Sequence, residues 1–137
     1  MWRTVIAIVL LAHGIGHSLG MFPALGLAKT ERWSDHSWLL TNFIGEFAAR
    51  WLGVLLWLAV MLGFIGAGLG FYGILVPPER WRSLAVASTV VSLVGLMLYW
   101  NAFPSLINKI GAIAVDVAVL VGFDLGALAN SGYRLVV

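Results

Sequence analysis

The stretch WLGVLLWLAVMLGFIGAGLGFYGILV, residues 51–76, decides the fold, because it is long, apolar and free of charged side chains. A helix needs roughly 20 mainly apolar residues to cross the hydrocarbon core of a bilayer. The whole chain of 137 residues is 61% hydrophobic and 10% charged, against about 25% charged residues in a typical globular protein. The sequence therefore predicts an integral membrane protein, with the lipid bilayer as its first partner.

Four segments reach the length of a membrane span. They run from about Thr4 to Leu25, Trp51 to Val76, Trp81 to Phe103, and Leu106 to Leu128. Pro77 and Pro78 end the second segment, since proline cannot continue a helix, and a short turn at Pro104 separates the last two. Short connections make neighbouring helices antiparallel. The sequence predicts an all-α, four-helix up-and-down bundle that forms one transmembrane domain over residues 1–137.

The longest connection, residues 28–45, carries tryptophans and charges. Trp33 and Trp38 are expected to anchor a short segment that lies in the membrane interface, where the amphipathic indole ring is favoured. The basic residues divide equally between the two sides of the bundle. The compact pair of Arg80 and Arg82 favours a multi-pass protein of the plasma membrane with both termini in the cytoplasm.

Small residues at helical spacing predict where the helices meet, because close backbone approach stabilises helix pairs in lipid. On the first helix this seam comprises Trp2, Ile6, Val9, His13, Gly16 and Gly20. On the second it comprises positions 45, 49, 52, 56, 59, 63, 66, 70 and 73, which include Gly63, Gly66, Gly70 and Gly73. The glycine face packs either within one bundle or against a second copy or another membrane protein.

Several classes of function are disfavoured. Residues 68–73, GLGFYG, match the dinucleotide-binding pattern G-x-G-x-x-G, but they lie late in an apolar helix with no preceding strand and no acidic residue near position 93. The charges flank the membrane segments and do not indicate nucleic-acid binding. Without cysteine, the chain has no disulfide, no thiolate nucleophile and no thiolate-held iron–sulfur cluster. We expect neither a nucleotide nor a nucleic-acid partner.

The stretch LLAHGIGHSLG, residues 10–20, places two histidines one helical turn apart inside an apolar span. Ionisable residues at membrane depth are costly and are candidates for function. His13 lies near the middle of the first helix and Asp116 near the middle of the fourth, so we expect them to pair. His17 lies about 6 Å nearer the first loop at 1.5 Å per residue. Its expected partner is Glu46, Asn101 or Asn108.

Two structural ion pairs are also predicted. Glu46 and Arg50 are four residues apart at the start of the second helix, a spacing that favours a surface pair. Asp124 lies toward the opposite face of the membrane, near Arg3 and Arg82, where an ion pair would stabilise the bundle.

Four hypotheses compete for the histidines. The first is a non-enzymatic subunit, assembly factor or small-molecule binding module, in which a buried His/Asp network locks the bundle and no cofactor is expected. The second is a metal-dependent enzyme in which His13 and His17 share a metal ion, and Glu46, Asp116 or His36 completes the set of ligands. The third is a membrane oxidoreductase that binds quinone beside a histidine, since two histidines on one face cannot clamp a haem. The fourth is a proton or small-solute pathway that requires a homo-oligomer.

The four spans also carry a family resemblance. LLAHGIGHSLG in the first, RWLGVLLWLAVMLGFIGAGLG in the second, RWRSLAVASTVVSLVGLMLYW in the third and INKIGAIAVDVAVLV in the fourth resemble a group of small bacterial four-helix membrane proteins that are loosely called DoxX-like. The resemblance implies a compact four-helix bundle in a bacterial inner membrane. DoxX-type proteins proper are linked with thiol and quinone-related redox partners, and the lack of cysteine argues against a thiol role here.

Overall fold

The part of the chain that the structure describes is mainly helical. The computed structural model describes residues 2–28, 30–31 and 33–132, and their side chains as far as residue 122. In chain order the elements are α1 (Trp2–Gly16), a first 3-10 turn (His17–Met21), α2 (Leu40–Ile44), α3 (Glu46–Gly70), α4 (Trp81–Leu98), a second 3-10 turn (Trp100–Ala102) and α5 (Leu106–Gly132). Within these ranges the β-structure is limited to an isolated bridge between Thr30 and Trp33.

Three helical segments are long and apolar enough to cross a membrane. They are Trp2–Met21, Glu46–Gly70 and Trp81–Leu98. The last helix, α5, runs on into residues whose side chains lie outside the described part. By length and composition, the part of the chain that the structure describes therefore contains three candidate membrane spans.

The helix ends differ from the predicted ends, and the backbone explains two of them. The second long helix begins at Glu46, directly after Gly45, whose φ of 81° is incompatible with the helix. It ends at Gly70 and not at Val76, because Gly73 (φ 72°) and Leu75 (φ 66°) adopt left-handed conformations before the Pro77–Pro78 pair. The first helix tightens into a 3-10 turn at His17, and α4 ends at Leu98.

The central element is α3, which packs against α1 on one side and α4 on the other, while α5 packs against α4. Two clusters of buried side chains fill these contacts. The first comprises Leu10, Val60, Phe64, Ala67 and Ala85, and the second comprises Trp57, Leu96, Tyr99, Ala102 and Phe103. Among the described residues α1 and α5 meet only weakly, and a groove remains between them.

The buried face of α3 differs from the predicted glycine seam. Of the predicted positions, Ala49 and Gly70 are buried, but the face is centred on the large side chains of Trp57 and Phe64. Gly63 and Gly66 lie at its edge, where Ser88 and Leu84 of α4 approach them closely. Gly73 is a turn residue beside Pro78. Both faces of α3 are apolar, so hydropathy alone does not determine which face is buried.

The seam of α1 is also rotated. The predicted contact residues Trp2, Ile6 and Val9 are exposed, and the buried residues of the helix are Ala7, Leu10 and Gly14. The prediction for Gly16 is wrong, since no atom lies within 4 Å of the position that a Cβ would take there. Gly20 does make the expected close approach, with the ring of Trp57 2.8 Å from such a Cβ.

The connection between the first two spans closes the end of α4. Four donors of this loop bond to backbone carbonyl oxygens at the end of α4 and in the 3-10 turn that follows it. The bonds are Trp33 Nε1 to Ala102 O, Ser34 N to Asn101 O, Ser37 Oγ to Leu98 O, and Trp38 Nε1 to Met97 O. The two tryptophans therefore act as donors to a helix end, in addition to any role as membrane anchors.

The two glycines of α1 give a matched test of the packing. A methyl group at Gly14 would lie 2.9 Å from Cβ of Phe64 and 3.0 Å from the backbone oxygen of Met61, whereas a methyl group at Gly16 meets nothing. Overpacking of this kind costs about 1–3 kcal/mol. We expect Gly14→Ala to lower the free energy of unfolding by that amount. Gly16→Ala should leave it unchanged or raise it by up to about 1 kcal/mol, because alanine favours helix.

The free energies can be compared by denaturant titration in detergent micelles, with circular dichroism to follow the helix content. Equal effects of the two substitutions, or a loss confined to Gly16→Ala, would contradict the observed rotation of α1.

Candidate functional site: a buried polar cluster beside an apolar groove

Four polar side chains from four helical elements converge at the centre of the bundle. His13 comes from α1, His17 from the 3-10 turn that follows it, Ser92 from α4 and Asp116 from α5. Nε2 of His13 lies 2.9 Å from Oδ1 of Asp116 and 3.2 Å from Nε2 of His17. Oγ of Ser92 lies 2.6 Å from Oδ2 of Asp116 and 3.2 Å from Nε2 of His17. We call these four residues the polar cluster.

Glycine residues allow the histidines to reach this position. Gly14 lets α1 approach Phe64, and Gly20 lets the following turn approach Trp57. Since His17 lies between these two glycines, its side chain enters the space between the two aromatic rings. The spacing of four residues between His13 and His17 places both imidazoles on the same side of α1.

The ring of His17 is held by aromatic stacking. It lies nearly parallel to the ring of Trp57, with centroids 5.6 Å apart and an angle of 12°, and to that of Phe64, at 5.9 Å and 6°. The ring of Phe103 meets its edge at 5.8 Å. The imidazole is therefore fixed in its plane, and only its nitrogen atoms at the ring edge are available for polar contacts.

Burial of the cluster is nearly complete. His17 is 1% exposed, while Ser92 and Asp116 are fully buried. The carboxylate of Asp116 is well satisfied, because Ser92 donates to one oxygen and His13 to the other. In contrast, Nδ1 of His17 and Oγ1 of Thr89 are buried without a hydrogen-bond partner in the part of the chain that the structure describes.

The four contacts form a closed ring that cannot consist of hydrogen bonds alone. Each Nε2 carries either one proton or one lone pair, directed outward in the plane of the imidazole. Each can therefore make one linear hydrogen bond, although each takes part in two contacts of the ring. At most three of the four contacts can therefore be linear hydrogen bonds at the same time. When His13 binds Asp116 and His17 binds Ser92, the contact between the two Nε2 atoms is the one that is not a hydrogen bond.

An apolar groove of about 400 Å³ lies between α1 and α5 and leads to the cluster. Most of its lining is aliphatic or glycine backbone, and its polar contributors are His13, His17 and Asn108. Oδ1 of Asn108 accepts a hydrogen bond from Ser105 Oγ. The complete lining comprises Val9, Ala12, His13, Gly16, His17, Leu19, Phe103, Asn108, Gly111, Ala112 and Val115. Gly16 thus forms part of the wall of this groove.

The structure brings together only some of the residues that the sequence put forward. His13 meets Asp116, as the sequence analysis expected. The partners of His17 are His13 and Ser92, which corrects the expected pairing with Glu46, Asn101 or Asn108. Asn108 lines the groove instead, and Asn101 is exposed and contributes its backbone oxygen to the loop.

The predicted ion pairs also need correction. Nε of Arg50 lies 2.7 Å from Oδ2 of Asp35, because the loop folds back over the start of α3, so the predicted pairing of Arg50 with Glu46 is wrong. Glu46 lines a separate, exposed pocket together with His36. This placement removes Glu46 from the candidate ligands around His17.

The predicted pair of Asp124 with Arg3 and Arg82 concerns a carboxylate outside the described side chains. The guanidinium of Arg3 lies 5.7 Å from the ring centroid of Phe71, and that of Arg82 lies 5.6 Å from the ring of Trp81.

Ser92 is the residue that the sequence analysis missed. Its signal was present, because Ala85, Ser88, Ser92 and Gly95 recur at steps of three and four on α4, and all four are buried. Small residues at this spacing mark a helix interface in lipid, and a hydroxyl group on such a face can bond across it.

Comparison with models of known protein families, with curated proteins and with solved structures found no match. The chemistry of the cluster and the groove must therefore carry the functional argument.

Two serines of α4 provide a matched test of the cluster. Both are buried and one turn apart, but Ser92 donates across the bundle to Asp116, whereas Ser88 donates to the carbonyl oxygen of Leu84 in its own helix. Ser92→Ala leaves a buried carboxylate oxygen without its donor, which costs about 1–3 kcal/mol. In Ser88→Ala the carbonyl oxygen of Leu84 keeps its backbone hydrogen bond within the helix, so we expect the free energy of unfolding to change by only about 0.5 kcal/mol or less.

Chemical denaturation in micelles measures both variants against the unmodified chain. A Ser92→Ala protein as stable as the Ser88→Ala protein would show that the bond to Asp116 contributes nothing to the bundle.

Proposed function

We propose that this chain is an integral membrane protein that binds a lipophilic small molecule with a polar head. The observation that carries the proposal is the groove between α1 and α5, whose walls are apolar and whose inner end presents the imidazoles of His13 and His17. Ligand sites commonly combine an apolar lining with a few convergent polar groups, and they occur between the helices of bundles.

The exterior of the helices supports a position within the bilayer. Large aliphatic side chains on four helices are about half exposed or more, an arrangement that is unfavourable in water but suits contact with lipid tails. Examples are Ile8 (58%), Ile15 (59%), Leu55 (61%), Leu62 (55%), Val90 (50%) and Val121 (50%). Together with three spans of sufficient length, these surfaces support the four-helix membrane bundle.

The polar lining of the groove indicates what kind of head group it would hold. Imidazole nitrogens and the amide group of Asn108 donate and accept hydrogen bonds, so they suit carbonyl or hydroxyl oxygens. A quinone has such oxygens on a flat ring and an apolar tail that would follow the aliphatic wall. We therefore take quinone-like molecules as the favoured class of ligand.

A membrane oxidoreductase is the second candidate, because His13 and His17 border the groove where they could exchange protons with a reduced ring. The polar cluster gives less support to a proton or solute pathway, since its contacts close on themselves. A role as a subunit or assembly factor, a homo-oligomeric state, a bacterial inner-membrane location and the DoxX-like resemblance stay predictions.

Two glycines of α5 allow a matched test of the groove. Gly111 lines it and Gly122 does not, and an added Cβ meets no atom within 4 Å at either position. In Gly111→Leu the new side chain occupies part of the groove, so the affinity for decylubiquinone should fall at least about tenfold, or 1.4 kcal/mol. In Gly122→Leu the affinity should be unchanged.

Binding can be followed by quenching of tryptophan fluorescence in detergent micelles. If the unmodified protein shows no saturable binding, or if both variants bind as well as it does, the groove is not a quinone site.

Because the chain has no cysteine, a single introduced cysteine is its one site for maleimide labelling in a test of membrane crossing. His36 and Glu79 are exposed and lie beyond opposite ends of α3. If α3 crosses the bilayer with the termini in the cytoplasm, a membrane-impermeant maleimide will label His36→Cys in intact cells. Glu79→Cys will then be labelled only after permeabilisation.

The opposite pattern would reverse the orientation but retain the crossing. Labelling of both cysteines in intact cells, or of neither, would contradict a membrane-spanning α3.

A further inference from the structure

We propose that the polar cluster is a site for one divalent transition-metal ion, bound through Nε2 of His13, Nε2 of His17 and the carboxylate of Asp116. The site goes beyond the ligand-binding function proposed above and does not rest on it, because its donors are drawn from the buried cluster alone.

The contact between the two histidines favours a shared metal ion. Their Nε2 atoms lie 3.2 Å apart, although these nitrogens cannot both pair with each other and satisfy Asp116 and Ser92. When His13 donates to Asp116 and His17 donates to Ser92, both Nε2 atoms carry a proton and the two N–H groups repel each other across this contact. With the protons on Nδ1 instead, both Nε2 lone pairs are free to bind one cation. A shared metal ion therefore explains why the two Nε2 atoms lie so close together without a hydrogen bond between them.

The separations of the donor atoms in the cluster also match those of a metal site. Ligands at roughly 2.0–2.1 Å around a tetrahedral zinc ion lie about 3.3 Å from one another. The separation of the two Nε2 atoms is 3.2 Å, and that of His13 Nε2 and Asp116 Oδ1 is 2.9 Å. One donor atom from each of the three residues lies within 4.8 Å of the others. The donors are thus already close to the spacing of a coordination shell.

The groups around the donor atoms orient two of the three proposed ligands. Metal-binding carboxylates are oriented by hydrogen bonds to their second oxygen, and Ser92 donates such a bond to Oδ2 of Asp116. The stacking of Trp57 and Phe64 fixes the plane of the His17 ring. The bond from Ser92 leaves Oδ1 of Asp116 free for a metal ion, and the stacking leaves Nε2 at the edge of the His17 ring free of the two aromatic rings.

The donor set indicates the class of metal. Two imidazoles and one carboxylate suit zinc and its neighbours in the first transition series, whereas magnesium and calcium prefer oxygen ligands throughout. Three protein ligands leave one tetrahedral position for a water molecule or another ligand. His13 and His17 also line the groove, which gives an ion a path to the buried donors.

Cobalt(II) is the probe that tests the proposal, because its visible absorption reports a tetrahedral site. The full-length protein, purified without a polyhistidine tag and treated with a chelator, is titrated in detergent with Co²⁺ and then with Zn²⁺. We expect one equivalent of Co²⁺ to produce a tetrahedral spectrum and one equivalent of Zn²⁺ to abolish it. Absence of stoichiometric binding by the unmodified protein would overturn the proposal, whatever the variants do.

The variants then assign the ligands. His17→Ala and Asp116→Asn should lose the stoichiometric Co²⁺ spectrum, while the control His36→Ala, which removes an exposed histidine outside the cluster, should retain it. Loss in His36→Ala with retention in His17→Ala would place the metal at the surface and refute the proposal. Asp116→Asn preserves the shape of the side chain, and its helix content by circular dichroism separates a lost ligand from a lost fold.

The groove variant Gly111→Leu keeps the two proposals distinguishable. At equilibrium it should bind Co²⁺ with the spectrum of the unmodified protein even where it no longer binds decylubiquinone, because a filled groove slows the entry of the ion but removes none of its donors. Loss of the spectrum in a folded Gly111→Leu protein would refute a metal site built from the cluster alone.

Discussion

The carboxylate of Asp116 is the constraint around which this bundle is arranged. A charged group in an apolar interior is strongly unfavourable unless it is paired and hydrogen-bonded. Asp116 meets this requirement through His13 of α1 and Ser92 of α4, so a single side chain ties α5 to two other helices. Because α1 and α5 otherwise meet weakly, the bond between His13 and Asp116 spans the inner end of the groove.

The rest of the site follows from the need to bring α1 up to that carboxylate. Gly14 and Gly20 remove side chains where α1 and its 3-10 turn approach α3. The aromatic rings of Trp57 and Phe64 then fill the space on both sides of His17. Small residues and large rings thus have complementary roles, since the former set the helix separation and the latter fix the orientation of the imidazole.

The sequence predicted the helices and the pairing of His13 with Asp116 more readily than the faces on which the helices pack. Length and hydropathy are properties of a segment, and the depth of a residue follows from its position in that segment. The rotation of α1 was not accessible in this way, because Val9 and Leu10 are equally apolar, although the first is exposed and the second buried. In lipid, exposure no longer requires a polar side chain, so periodicity loses its power to identify the inner face.

Contacts that depend on the path of a loop were also beyond the sequence. The pairing of Arg50 with Asp35 requires the connection to fold back over the start of α3, whereas the i, i+4 rule that favoured Glu46 considers one helix alone. Ser92 was missed for a different reason. A serine in an apolar helix commonly bonds to its own backbone, as Ser88 does, and only the position of Asp116 distinguishes the two.

The attachment of the first loop to the end of α4 links the two sides of the candidate site. Trp33 holds the carbonyl oxygen of Ala102, and the next residue, Phe103, both lines the groove and contacts the edge of His17. One wall of the groove is therefore positioned by a segment that lies beyond the helix ends. The loop thus helps to set the shape of the groove, although none of the loop residues that the structure describes belongs to the groove lining.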